Sequence, residues 1–98
     1  MGMTIEVPRA PETLSIKSLL AALTASGFST TVMMIDGQLV LPNAEPAPAW
    51  RDIRLRTPGG TVTLARRESA IAVSVFGNAD AALQQAQRRV AEAIEQQE

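Results

Sequence analysis

Two tight turns stand ten residues apart between positions 50 and 76, and the side chains around them have to agree on one register. Thr57-Pro58-Gly59-Gly60 carries the Pro and Gly that suit a type II or similar turn, and Glu68-Ser69 supplies the second. Taking Pro58-Gly59 as a two-residue loop sets Leu55 against Val62 and Ile53 against Leu64. The Glu68-Ser69 loop separately sets Leu64 against Val73 and Val62 against Val75. All six apolar residues then share one face of a three-stranded antiparallel meander over residues 50–57, 60–67 and 70–76, with Ile71 and Arg66 at its margin. A one-residue slip in either loop would divide them between two faces.

The rest of the chain supplies cover for that face. Ser15 is a natural N-cap, and Ile16, Leu19, Leu20 and Leu23 follow at helical spacing, which predicts a helix over 14–26. Gly27 stands where a left-handed residue ends a helix, and Phe28 can fold back onto Leu23 in a Schellman stop. Asp36-Gly37 predicts a type I′ hairpin between residues 29–35 and 38–41. Its register sets Met34 against Leu39 and Val32 against Leu41, and strict alternation leaves Met33, Ile35 and Val40 on the face away from the helices. Residues 41–49, rich in Pro and Ala, form an extended connector. Asn78 as N-cap, Asp80 in the first turn, and Leu83, Ala86, Val90 and Ile94 down one side predict a closing helix, with its glutamines on the solvent side. The expected fold is an α+β two-layer sandwich: an antiparallel β-meander sheet with two helices packed on one face, in the order α-β-β-β-β-β-α, with residues 3–7 available as an extra edge strand.

Composition narrows the chemistry. At 98 residues the chain is one domain's length, and it contains no Cys, His or Tyr. Disulfides, thiolate nucleophiles, imidazole proton transfer and the usual transition-metal ligand sets are therefore excluded. The ten acids are scattered, Pro58-Gly59-Gly60 lacks the pattern of a phosphate loop, and no serine has an identifiable activating base. A non-enzymatic protein without cofactor or metal is expected. The chain has no 18-residue apolar run and its first residues lack the pattern of a signal peptide. A cytoplasmic location without membrane contact is the expectation, and a single lysine among nine basic residues in an alanine-rich chain suggests a GC-rich, bacterial coding background.

Two surfaces are candidates for function. Residues 51–67 carry five arginines against Asp52, a balance of +4, whereas residues 1–50 sum to −2 and residues 68–98 to −3. The meander register places Arg54, Arg56 and Arg67 on the sheet face opposite the core among Thr61, Thr63, Ala65, Ala72 and Ser74, with Trp50 and Phe76 towards its edges. Guanidinium groups beside hydroxyls suit an acidic protein surface or phosphates, although the same pattern also describes a solvated sheet face. The second surface is the apolar hairpin, with Met33 and Ile35 as its contacts. Together Arg54, Arg56, Arg67, Trp50, Met33 and Ile35 are the partner-binding candidates of a protein-interaction or accessory module, expected to self-associate as a homodimer or to hold a protein partner. Phosphate or nucleic-acid binding through the arginine face is the alternative. A net charge of −1 and the lack of aromatics at the centre of that face weigh against it.

Overall fold

The computed structural model describes residues 3–97; Met1, Gly2 and Glu98 lie outside the described residues. The elements are β1 (Met3–Val7), a 3-10 turn (Pro11–Thr13), α1 (Ile16–Ala25), β2 (Thr31–Ile35), β3 (Gln38–Leu39), β4 (Asp52–Thr57), β5 (Gly60–Arg66), β6 (Ile71–Val75) and α2 (Ala81–Gln96). The strands form one antiparallel sheet in the order β1-β6-β5-β4-β2-β3. The α+β expectation holds, and residues 3–7 form the edge strand beside β6.

The meander has the register that its turns dictate. Leu55 pairs with Val62, Ile53 with Leu64, and Leu64 with Val73. These residues and Val75 are fully buried in a core shared with Val32, Leu19 and Leu23 below and Ala86, Val90 and Ile94 of α2. The Pro58-Gly59 turn is not type II, because the positive φ falls at Gly60 (128°) rather than Gly59. Gly59 is needed for a close approach instead: a Cβ there would run into the Ala82 carbonyl oxygen and come within 3.1 Å of the Ala86 methyl.

Helix α1 begins at the Ser15 cap, whose hydroxyl accepts the Ser18 N–H, and ends in the Schellman geometry. The Phe28 N–H donates to Leu23 O at 2.9 Å and the Gly27 N–H to Thr24 O at 3.0 Å, with Gly27 at φ 87°. Helix α2 is capped by Asp80, which accepts the Leu83 N–H, rather than by Asn78. Its glutamines are not all solvated either. Gln87 is buried, and its amide donates to Met3 O at 3.0 Å and Val73 O at 2.8 Å, pinning α2 to the β1–β6 seam.

The hairpin corrects the expectation for Met33, Ile35 and Val40. Asp36 (φ 50°) and Gly37 (φ 82°) make the type I′ turn, and Met34 opposes Leu39 as expected. However, β2 pairs with β4 through a bulge: Val32 lies opposite Leu55, yet Met34 lies opposite Arg54 and Ile35 opposite Ile53, leaving Met33 as the extra residue. One inserted residue reverses the sides of everything after it. Ile35 and Val40 therefore pack against the core, while Met34 and Leu39 turn to the opposite face.

Candidate functional site

The face of the sheet opposite the helices has no second layer among the described residues, and the register resolves it into rows. One row crosses all six strands: Thr4, Ser74, Thr63, Arg54, Met34 and Leu39. Beside it run Glu6, Ala72, Ala65 and Asp52 on one side, and Thr61, Arg56 and Thr31 on the other. The long row therefore changes character across the sheet, from hydroxyls at β1 through one guanidinium at β4 to thioether and isobutyl groups at β2 and β3.

Local chemistry shapes this surface. Thr4 and Ser74 share a hydrogen bond of 2.9 Å between their hydroxyls. Arg67 reaches Glu6 at 3.8 Å, spanning the strand that holds the fully buried Ala72. Both partners are more than half exposed, so this pair adds little stability. Thr63, Ala72 and Ser74 are buried although nothing packs over them, because these short side chains form a floor among longer neighbours. Among the described residues the Thr63 hydroxyl oxygen has no hydrogen-bond partner. Arg54 directs one guanidinium nitrogen to Met34 Sδ at 3.8 Å, while Leu39 is 79% exposed.

Comparison with protein-family models, curated proteins and solved structures found no match. The reading of the surface accordingly rests on its own residues.

Of the six candidates, Arg54, Arg56 and Arg67 share the open face. Met33 is half-buried at the bulge. Ile35 is half-buried against the core, which corrects its assignment to the outer surface. Trp50 is also corrected: it is only 3% exposed, in the core rather than at the edge of the arginine face. The Arg66 guanidinium stacks over its ring at 4.9 Å and donates to Pro48 O at 2.7 Å, so the connector closes over the indole. That same connector and the start of α1 enclose a groove of about 600 Å³, lined by Leu14, Leu20, Pro42 and Trp50, with Lys17 and Glu45 paired at 3.6 Å. Phe76, expected towards the edge of the arginine face, lies beyond the end of β6 and is 62% exposed.

Alternation assigns Met34 and Leu39 to the helix side, and their place beside Arg54 could not be read from it. A bulge made of Val32-Met33-Met34 carries no Gly to announce it. The sequence signal is limited to the pair Met34–Leu39, whose two side chains share one face whichever side the bulge gives them.

Proposed function

We propose that this protein is a non-enzymatic interaction module that docks a protein partner on its open sheet face. The observation that supports the reading is the row Arg54, Met34, Leu39, which sets a guanidinium beside adjoining apolar groups. Protein contacts commonly join Arg and Met in this way, with an apolar patch buried at the centre and charge setting orientation. A partner surface with an apolar ridge and a carboxylate facing Arg54 and Arg56 fits the row. A location in the cytoplasm agrees with a chain that needs no disulfide. No described helix is long and apolar enough to cross a membrane.

The test is affinity capture with the wild-type protein, with Arg54→Glu/Leu39→Glu, and with Gln85→Glu as a control on the exposed side of α2. The double variant is expected to lose the bound proteins and the control to keep them. Equal capture by all three would overturn the proposal.

Phosphate binding is the second reading, on one observation: exposed Arg56 and Thr61 lie opposite each other beside Arg54 on the β4–β5 pair, which sets guanidinium and hydroxyl donors together. A single-stranded oligonucleotide titrated at rising salt separates the two. Binding that weakens steeply with salt supports phosphate contacts, and no binding at low salt removes them.

A further inference from the structure

The two edges of the sheet are built differently. At one edge β3 is only two residues long and hangs from the bulged strand β2. These are devices that prevent a sheet from pairing with another chain. At the other edge β1 is five residues long, free of Pro and bulges, and in unbroken register with β6. Its charged residue, Glu6, is paired with Arg67 on the open face.

The direction of its free backbone groups follows from the ladder. The Arg67 N–H donates to Ala70 O, so β6 turns the backbone groups of its even-numbered residues 72 and 74 towards β5. Ile71, Val73 and Val75 therefore face β1 and bond to Val7, Ile5 and Met3. What remains on the outer side of β1 is the N–H and C=O of Thr4 and Glu6.

We infer that β1 pairs antiparallel with β1 of a second copy, centred on Ile5, to make one continuous sheet of twelve strands. In this register Thr4 of each copy exchanges both backbone hydrogen bonds with Glu6 of the other. Ile5 meets Ile5, and Met3 lies opposite Val7, all on the helix side. Met3, 47% exposed in the single chain, thereby gains cover, and half-buried Ile5 is closed off. The neighbouring register that sets Glu6 against Glu6 opposes two carboxylates and brings Thr4 against Pro8, which has no N–H to give. Gln87 holds the strand in place from α2, so the edge is presented as a fixed template. This pairing uses the backbone edge of β1, whereas docking on the open face uses the side chains of Arg54, Met34 and Leu39 three strands or more away, and either proposal can fail without the other.

The test uses light-scattering mass from about 10 μM to about 1 mM, which covers weak to moderate association. The wild type is expected to reach twice 10.4 kDa. Thr4→Pro removes an N–H that the β1–β6 ladder does not use, and is expected to be monomeric with an unchanged circular dichroism spectrum. Thr4→Val loses the same hydroxyl but keeps the N–H, and is expected to remain dimeric, as is Arg54→Glu. Amide exchange of the wild type supplies a readout that needs no variant: protection at Thr4 and Glu6 should rise with protein concentration. A wild type monomeric throughout, a dimeric Thr4→Pro, or a dimer whose Thr4 and Glu6 amides exchange freely would each overturn the inference.

Discussion

Asp36 shows how much one side chain can connect. Besides holding a left-handed backbone position in the turn, it accepts the N–H groups of Arg51 (2.7 Å) and Asp52 (3.0 Å), joining the hairpin to the start of β4. Those two backbone donors, foremost Arg51, hold its carboxyl below the usual value of 3.8. A carboxylate depressed on folding contributes stability above its unfolded pKa and loses it as pH falls through the folded one. Asp36→Asn should therefore lower the melting temperature at pH 7 more than at a pH well below 3.8, and an equal difference at both would contradict this account. Thr63 gives the opposite kind of prediction. Its buried hydroxyl lacks a partner among the described residues, and Val has nearly the same shape without the polar cost. Thr63→Val should hold or raise stability, by up to about 1 kcal/mol in denaturant unfolding, and a loss larger than that would mean the hydroxyl is satisfied. Neither role could be read from sequence, since both depend on which strand arrives from a distance.

The elements were legible where short-range rules decide them. Gly27 and Phe28 predicted the Schellman end of α1, and two-residue loops predicted the pairing of β4, β5 and β6. Legibility failed where a tertiary contact chose between local options. The bulge at Met33 lets Ile35 join Ile53 while Met34 joins Arg54, a choice made by β4, about twenty residues further on. Gln87 reads as surface in the sequence because its partners are carbonyls on two strands distant in the chain. The β4–β5 turn shows the same dependence. Gly59 lies against α2, and the nearest obstruction to a Cβ is the backbone oxygen of Ala82, which cannot rotate away. Gly59→Ala should therefore cost about 1–3 kcal/mol and lower the melting temperature by about 4 °C or more, as α2 is pushed from the sheet. An unchanged melt would show that the turn does not bear on the helix.

On the scale of the whole molecule, the layers explain why the fold was easier to read than the site. One face of the sheet needs cover, and the two helices with the 41–49 connector supply it, so apolar periodicity reports that face directly. The opposite face obeys no such demand, and of the six candidates only the three arginines lie on it at the positions that the meander register predicts. Trp50 was lost to the core because the connector that folds over it has no periodicity of its own.

The unequal edges also limit how large an assembly can grow. Joining two copies through β1 uses up both open edges at once, and the borders left on the outside are two copies of β3, short and bulged at its neighbour. The association is closed by its own symmetry. A concentrated solution should hold discrete pairs and remain fluid, with no fibrils seeded by the strand that makes the pair.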